Sequence, residues 1–258
     1  MVSSRVPVAI ARSPALLRVG RTLRSAVRAL TKRVLRFSGL DVHRKPGALI
    51  RSPSEMVLTF EYVASHFACR HLDRDVMVLQ VGAFDGEAND HVSTAIAVHG
   101  WHGVLVEPQR EPFESLERRY LGNKRVRLFN VAVADEDGFR TMYRIGPSQT
   151  ASFSKSHVVK HVANPEVARI EEECVECWTF GTLFARAGIE RVDVLQIDAE
   201  GYDLELLRLF DIGRRLPSIV NYEHLHLSHS DRNEAVDLLV SNGYRIAVDQ
   251  HDTVAYRE

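Results

Sequence analysis

The sequence of 258 residues contains three cysteines, Cys69, Cys174 and Cys177, and has no long hydrophobic run. Three cysteines do not form a disulfide framework, so a reducing, cytoplasmic environment is expected. No segment reaches the ~18 to 20 uncharged apolar residues that span a bilayer, and residues 1–11 lack the apolar core of a secretory signal. These absences exclude a disulfide-stabilised miniprotein and predict a chain without a membrane-spanning helix.

Acidic residues are absent from the first 40 positions, which carry nine lysines and arginines. The whole chain has 33 basic and 34 acidic residues, so residues 41–258 hold 24 basic and 34 acidic residues, a formal charge of −10. A basic arm is thus attached to an acidic body. Because nucleic-acid phosphates are bound by clustered positive charge, we do not expect the body to bind nucleic acid.

Residues 15–37 have apolar side chains every three or four positions and basic side chains on the opposite side, which predicts a basic amphipathic helix. One interpretation is peripheral binding to an anionic membrane or to an acidic partner. The alternatives are a terminal helix that packs on its own domain, a partly disordered arm, and a transit peptide. Residues 39–53 contain two glycines and two prolines, which indicates a linker. We therefore expect an N-terminal extension and linker at 1–45 and one domain at 46–258.

The rest of the chain alternates apolar strand patterns with amphipathic helix patterns, after a first helix predicted from Ser54 to His71. This alternation predicts an α/β fold in which helices cover both faces of a mostly parallel sheet. The predicted strands are 76–81, 103–106, 126–131, 139–145, 174–178, 192–197, 218–222 and an antiparallel pair, 244–248 with 253–256. The predicted helices between them are 89–98, 112–120, 179–187, 204–210 and 232–241. Residues 146–171 are expected to be irregular or mixed in structure, and a connection of this length is often a lid or binding loop.

A glycine turn, Val81-Gly82-Ala83-Phe84-Asp85-Gly86, follows the first strand of the predicted sheet, and Glu107 ends the second strand about 20 residues later. An acidic side chain at this spacing is typical of the ribose contact in adenosine-binding α/β folds. The glycines have Gly-x-x-x-Gly spacing, and Asp85 would repel a pyrophosphate but attract a cationic sulfonium. The pattern therefore favours S-adenosylmethionine over a dinucleotide. The alternatives are a turn or helix-cap role for Asp85 and a solvent-exposed strand-end carboxylate for Glu107.

Four further segments complete a resemblance to a known family: Val106-Glu107-Pro108, 130–135, 196–203 and Gly243-Tyr244. With the glycine turn they resemble the FkbM family of class I S-adenosylmethionine-dependent methyltransferases, and the Ile-Asp-x-Glu-Gly stretch at 197–201 is the most specific part. The resemblance implies a Rossmann-like fold with a mostly parallel seven-stranded sheet and an antiparallel C-terminal hairpin. It also implies methylation of hydroxyl groups on sugars or other small natural products.

We expect the cofactor, S-adenosylmethionine, at the glycine turn and the adjoining strand ends. The residues predicted to bind it are Gln80, Gly82, Ala83, Asp85, Gly86, Glu107, Pro108, Ala132 and Asp198. Many class I enzymes have an acidic residue where Gln80 stands, and an amide can accept a hydrogen bond from the methionine ammonium without supplying charge. Asp85 and Asp198 are the other candidates for that contact, and Ala132 would form a small wall beside the adenine.

The chemistry requires a base that removes the proton of the acceptor hydroxyl. Asp198 and Glu200 follow one predicted strand, and Glu223 and His224 end the next, so both pairs are expected to flank the cleft. We predict His224 or Asp198 as the base, since a histidine titrates near neutral pH without tuning. Glu200 is expected to orient the base or the acceptor. The alternative is that Asp198 and Glu200 only cap a helix.

No metal site is predicted. His224 and His226 would share one face if their strand continued, and Asp198 could complete a set of ligands. Their spacing matches no closed zinc pattern, however. Cys174 and Cys177 lack a second cysteine pair, which favours a structural role for them.

The sequence as a whole predicts a cytoplasmic enzyme that methylates a hydroxyl of a sugar, glycolipid or other small molecule. Membrane association through residues 15–37 is one interpretation of its basic arm. One alternative is an NAD(P)-dependent oxidoreductase, since the Rossmann-like pattern is shared. The other is a non-catalytic cofactor-binding scaffold that is docked by its basic helix.

Overall fold

The computed structural model describes residues 59–257, apart from 73, 88–89, 146–150 and 161–168. These residues all belong to one compact unit, Ile50–Glu258. The helix predicted over 15–37, the linker, the boundary at residue 45 and the helix start at Ser54 lie outside the described residues. No helix in the described part of the chain is both long and apolar enough to cross a membrane.

Strands and helices alternate along the domain. The helices are α1 (Phe60–Arg70), α2 (His91–His99), α3 (Arg110–Arg119), α4 (Lys155–Lys160), α5 (Phe180–Ala187), α6 (Asp203–Leu209), α7 (Ile212–Arg215) and α8 (His229–Ser241). The strands are β1 (Met77–Val81), β2 (His102–Val106), β3 (Val126–Phe129), β4 (Ala132–Val133), β5 (Gly138–Arg144), β6 (Glu171–Trp178), β7 (Val194–Ile197), β8 (Ile219–Glu223), β9 (Arg245–Val248) and β10 (Asp252–Tyr256). The predicted strands and long helices are present within a few residues of their predicted bounds. The short elements α4, α7 and β4 were not indicated by the sequence pattern.

The main sheet has seven strands in the order β3-β2-β1-β7-β8-β10-β9. The first five strands in this order are parallel, whereas β10 runs antiparallel to both of its neighbours, which confirms the predicted architecture. The strand order reverses between β1 and β7, and the register sets Val81 level with Val106 and Ile197. Ligands of such sheets bind at this reversal point, beyond the carboxyl ends of the strands. The turns after β1, β2 and β7 therefore form the floor of a cleft.

Helices cover both faces of the main sheet because the strand side chains alternate between two apolar layers. On one face, Val78, Leu105 and Val194 pack with buried residues of α1, α2 and α3. On the other face, Leu79 and Leu195 pack with buried residues of α5, α6, α7 and α8. The close packing on both faces holds the strand ends in place, and the cleft residues project from those ends.

A second, three-stranded sheet has the order β4-β6-β5. The sequence predicted β5 and the end of β6. It did not predict the start of β6, which lies in the acidic run Glu171–Glu173, or the pairing of the two strands. Arg144 on β5 forms ion pairs with two of these glutamates, at 3.3 Å each. On β6, Cys174 is exposed and Cys177 is buried, so the two thiols lie on opposite faces of the strand and do not form one site.

The turn after β1 approaches β7 so closely that a side chain does not fit at residue 82. Gly82 has a φ of +83°, and a Cβ atom added there would lie 1.8 Å from the backbone oxygen of Asp198. The Gly82 N–H donates a hydrogen bond to the Val106 carbonyl oxygen at 2.9 Å, which ties the turn to β2 as well. Gly82 therefore allows the three strand ends at the cleft floor to lie close together.

We predict that Gly82→Ala destabilises the domain by about 4 kcal/mol or more, because the methyl group would force β1 and β7 apart. Gly122→Ala is the matched control, since Gly122 has a φ of +81° but no atom lies within 4 Å of the added Cβ. In this control, placing an alanine in the left-handed conformation costs about 1 to 2 kcal/mol of stability. Urea unfolding measures the free energies, and equal losses in the two variants would contradict the close approach.

Candidate active site

A cleft lies at the carboxyl ends of β1, β2 and β7 and holds about 950 Å³ of space that opens to solvent. The glycine turn forms part of its floor, and Ala132, Val133 and Met142 of the small sheet contribute to its wall. Phe153 also lines the cleft and packs edge-on against Tyr202, with ring centroids 5.9 Å apart. The polar residues of the lining are Gln80, Asp90, His91, Glu107, Gln109, Ser152, Gln196, Asp198, Glu200 and Tyr202.

Glu107 is buried in the cleft floor, immediately after β2. Its two carboxylate oxygens accept hydrogen bonds from the backbone N–H groups of Phe84 and Gln109, both at 2.8 Å. These bonds hold the carboxylate against the glycine turn, and each oxygen keeps a second lone pair for a ligand hydroxyl. Because Glu107 is 3% exposed, the alternative of a solvent-exposed strand-end carboxylate is excluded.

Gln80 lies in the cleft floor beside a carboxylate that the sequence analysis did not single out, Asp90. The Gln80 Nε2 donates to Asp90 Oδ1 at 3.2 Å, and Gln80 Oε1 is buried without a hydrogen-bond partner among the described residues. Asp90 also caps α2 by accepting from the N–H groups of Val92 and Ser93 at 2.9 and 3.0 Å. The amide of Gln80 is thus held with its carbonyl oxygen available as an acceptor.

Asp85 and Gly86, which were predicted to bind the cofactor, are not among the described residues that line the cleft. The Asp85 carboxylate accepts a hydrogen bond from the Glu87 N–H at 2.8 Å, which stabilises the turn itself. Gly86 has a φ of +72°, and an added Cβ would lie 2.8 Å from the Leu116 side chain. Turn geometry and packing therefore account for both residues. The predicted cofactor residues that line the cleft are Gln80, Gly82, Ala83, Glu107, Pro108, Ala132 and Asp198.

His224, predicted as a base, is not among the described residues that line the cleft. Its ring is buried, and its Nδ1 lies 3.0 Å from Thr253 Oγ1 on β10. The chain turns after Glu223, where the His224 N–H donates to the His251 carbonyl oxygen at 2.9 Å. Burial is the main reason that the pKa of His224 is lowered, which favours its neutral form. Of the two predicted bases, Asp198 is therefore the one that reaches the cleft.

The turn after β7 presents Asp198 and Glu200 to the cleft. Glu200 and Gly201 have φ values of +50° and +93°, and a left-handed backbone at a glutamate is strained in a way that is common at functional sites. The buried Asp203 carboxylate accepts hydrogen bonds from the N–H groups of Ala199 and Gly201, at 3.3 and 3.1 Å. Asp203 thus holds this turn, and the N-cap position of α6, Tyr202, has no side-chain cap hydrogen bond among the described residues.

Two histidines from distant segments meet at Glu200. His226 Nε2 lies 3.1 Å from Glu200 Oε2 and 3.7 Å from Glu223 Oε1, and His157 Nε2 lies 3.9 Å from the same Glu200 oxygen. The two imidazole rings are arranged edge to face, with centroids 5.2 Å apart. His157 belongs to α4, inside the stretch expected to be irregular or mixed, and no spacing in the sequence indicated this contact. The sequence suggested His224 as the partner of His226, but the structure places His157 beside His226 instead.

Burial raises the pKa values of the acidic residues around the cleft. It is the largest cause in each case, and it raises the pKa of Glu107 to about 7, of Glu200 and Asp203 to about 8, and of Glu223 to about 10. The negative charge of Asp198 adds to all four shifts. The pKa of Asp198 is raised as well, since the walls limit its hydration although its side chain faces the open cleft. The cleft therefore favours protons or other cations.

The sheet order and the cleft at its reversal point define the Rossmann-like class I methyltransferase fold, which the sequence predicted. The cleft contains the glycine turn and the acidic strand ends that carried the family resemblance. The chain belongs to the FkbM methyltransferase family, because the family described as "Methyltransferase FkbM domain" matches residues 80–246.

Among solved structures, the chain is similar to methyltransferase FkbM from Methylobacillus flagellatus KT, with a TM-score of 0.49 and 14% identity over 71% of this chain and 44% of that chain. It is also similar to precorrin-6y C5,15-methyltransferase from Geobacter metallireducens GS-15, with a TM-score of 0.41 and 12% identity over 80% and 94% of the two chains. A human methyltransferase 10 domain containing protein gives a TM-score of 0.45 and 12% identity over 90% and 96%. The match thus spans less than half of the Methylobacillus protein. Comparison with curated proteins gives no significant match.

We predict that the domain loses stability as the pH rises from about 6.5 to about 8.5. The raised pKa values mean that the folded chain binds more protons than the unfolded chain, in which a glutamate titrates near 4.5. The stability contributed by those protons is present at low pH and is lost as the pH passes each raised pKa. The lowered pKa of His224 acts in the opposite direction, but only below the ordinary value of 6.5.

Glu200→Gln tests the source of this pH dependence, because the amide resembles the protonated carboxyl group. We expect it to reduce the loss of stability over the same pH range by about 1 kcal/mol or more. Glu117→Gln, on the exposed side of α3, should leave the loss unchanged. Urea unfolding in a chelator-containing buffer at each pH measures the effect. A parent chain that gains stability over this range would show that the acidic cluster is not responsible.

Proposed function

We propose that the protein is an S-adenosylmethionine-dependent methyltransferase that acts on a hydroxyl of a sugar, glycolipid or other small molecule. The charge of the cleft carries this proposal: the lining holds Asp90, Glu107, Asp198 and Glu200 and, within the described part of the chain, no lysine or arginine. Such a cleft attracts sulfonium and ammonium groups and repels the pyrophosphate of a dinucleotide. Membership of the FkbM family supports the same choice.

Three features of the cleft floor fit the donor. Glu107 is fixed beside the glycine turn and has acceptor capacity left for ribose hydroxyls. Gln80 Oε1 is a buried acceptor without a partner among the described residues, which suits an ammonium group. Gly82 exposes its backbone to close approach. When bound, S-adenosylmethionine supplies a methyl group that is attached to a positively charged sulfur.

Asp198 is the residue that we propose as the base for the acceptor. It follows β7 and lines the cleft. Its pKa is raised toward neutral pH, which makes its carboxylate a better proton acceptor at that pH. Glu200, two residues further on, lines the same cleft and can orient the acceptor. A hydroxyl acceptor is supported by this carboxylate base and by the resemblance to enzymes that methylate hydroxyl groups.

We expect calorimetry to detect S-adenosylmethionine binding to the full chain, and no binding of NAD⁺ or NADP⁺. Glu107→Gln should weaken S-adenosylmethionine binding by about 10- to 100-fold, because a hydrogen bond to a charged group contributes about 1.5 to 3 kcal/mol. Glu117→Gln is the matched control, since this side chain is exposed on α3, and its affinity should equal that of the parent chain.

Two results would overturn the proposal. Tight dinucleotide binding without S-adenosylmethionine binding would indicate an oxidoreductase. If Glu107→Gln abolishes cofactor binding but the cellular effect of the protein remains, the protein acts as a scaffold. Mass spectrometry of glycans and lipids from cells with and without the protein then identifies the acceptor, which should gain one methyl group.

We also propose that residues 15–37 bind an anionic membrane surface, on the basis of their basic amphipathic pattern. The full chain should sediment with phosphatidylserine-containing vesicles and not with phosphatidylcholine vesicles. Changing Arg21, Arg24 and Arg28 together to glutamate should weaken this binding at least about tenfold, since each basic residue contributes about 1 kcal/mol at such a surface. The control is Arg118→Glu on α3, and binding that is unchanged in the triple variant would refute the proposal.

A further inference from the structure

Ligating side chains from three separate segments converge at one edge of the cleft. His157 comes from α4, Glu200 from the turn after β7, and His226 from the turn after β8. One nitrogen or oxygen atom of each lies within 4.8 Å of the others. We infer that these three residues bind a divalent transition-metal ion, with Glu223 as a further carboxylate beside it. The sequence predicted no metal, because the spacing of His224 and His226 matches no closed zinc pattern; the structure adds His157, which is distant in the sequence.

The spacing of the atoms suits a single ion. In a tetrahedral site, metal–nitrogen and metal–oxygen bonds of about 2.0 to 2.2 Å place neighbouring ligand atoms about 3.3 to 3.6 Å apart. His226 Nε2 and Glu200 Oε2 are already 3.1 Å apart, and the His157–Glu200 and His226–Glu223 distances are 3.9 and 3.7 Å. Since one ligand atom each of His157, Glu200 and His226 lies within 4.8 Å of the others, shifts of about 1 Å would bring these three side chains to ligating distance.

The carboxylate oxygens of the cluster lack the partners that buried oxygens normally have. Glu200 Oε2 and Glu223 Oε2 are buried and have no hydrogen-bond partner among the described residues. Glu200 is 9% exposed, and leaving such an oxygen unsatisfied costs about 1 to 3 kcal/mol, more when it is charged. The nearby His226 nitrogen does not satisfy Glu200 Oε2 with a hydrogen bond, although it lies 3.1 Å away. A cation at this point would compensate both oxygens.

The backbone is shaped to bring these groups together. Glu200 adopts the left-handed conformation, at a φ of +50°, and Gly201 follows at +93°. A Cβ atom on Gly201 would lie 3.1 Å from His157 Cε1, so the glycine makes room for the imidazole ring. The Asp203 carboxylate holds this turn through two backbone N–H groups. Positioned ligands held by supporting hydrogen bonds are typical of built metal sites.

The donor set indicates the kind of ion. Two imidazoles and a carboxylate suit zinc and neighbouring first-row ions, whereas magnesium and calcium prefer oxygen ligands. Such three-residue sets leave coordination positions open to an oxygen ligand. Because Glu200 also lines the cleft, an ion here would lie where an acceptor hydroxyl can bind it. That role in acceptor binding rests on the proposed function, whereas ion binding itself does not.

Titration of the chelator-treated full chain with Zn²⁺ by calorimetry tests the site. We expect one ion to bind, and His157→Ala and His226→Ala each to weaken binding by at least about 100-fold, since even supporting residues of metal sites contribute 10- to 100-fold. His229→Ala, at the exposed start of α8, is the matched control and should bind as the parent chain does. Zn²⁺ should also raise the melting temperature of the parent chain and of this control, but not of the two cluster variants.

Glu200→Gln, which preserves the side-chain volume, provides a second variant should the alanine substitutions impair folding, and it should weaken Zn²⁺ binding at least about tenfold. Absence of Zn²⁺ binding to the parent chain, or unchanged affinity in the cluster variants, would overturn the inference. S-adenosylmethionine binding is measured on the same samples. If that donor binds and Zn²⁺ does not, the metal site alone is refuted; the reverse result refutes the donor and leaves the metal site.

Discussion

Carboxylates gathered at one edge of a parallel sheet are the constraint on which the rest of this structure depends. Glu107, Asp198, Glu200 and Glu223 lie at or just beyond the ends of β2, β7 and β8, and Asp203 supports them from α6. Parallel strands that end level bring such residues together, and burial removes the water that would separate their charges. The packed sheet prevents them from moving apart, so the group must bind protons or other cations.

One histidine in the cleft partly offsets the negative charge of these carboxylates. His91, at the start of α2, lines the cleft, and Glu61 and Asp252 lie on either side of its ring. The hydrogen bond to Glu61 is the largest of the causes that raise the pKa of His91, so this ring carries positive charge more readily than an exposed histidine. That charge in turn lowers the pKa of Asp198, against the effect of burial. One histidine does not offset four acidic residues in the lining, however, and this excess of acidic groups favours cationic ligands.

Local sequence patterns predicted the features that depend on residues close together in the chain. Apolar runs and helical periodicity identified the strands and helices of the main sheet, and strand-end position identified Glu107 and Asp198 as cleft residues. The side chain of His224 could not be placed in this way, because its backbone is held by His251, in the turn between β9 and β10. The contact between His157 and Glu200 joins segments more than 40 residues apart, and β5 pairs with β6 across the long connection between Arg144 and Glu171. Neither leaves a periodic trace in the sequence.

Asp198 connects the two cation-binding regions that we propose. Its charge raises the pKa of Glu107, beside the glycine turn, and also those of Glu200 and Glu223, beside the histidines. A cation bound on one side of Asp198 would neutralise its charge and weaken the attraction for a cation on the other side. At the same time, the negative charge of Asp198 between the two cations would reduce their mutual repulsion. Both effects act through one carboxylate whose position is set by the close approach of Gly82 to its backbone. The geometry of this turn would therefore set how strongly the proposed donor and the proposed metal ion influence one another.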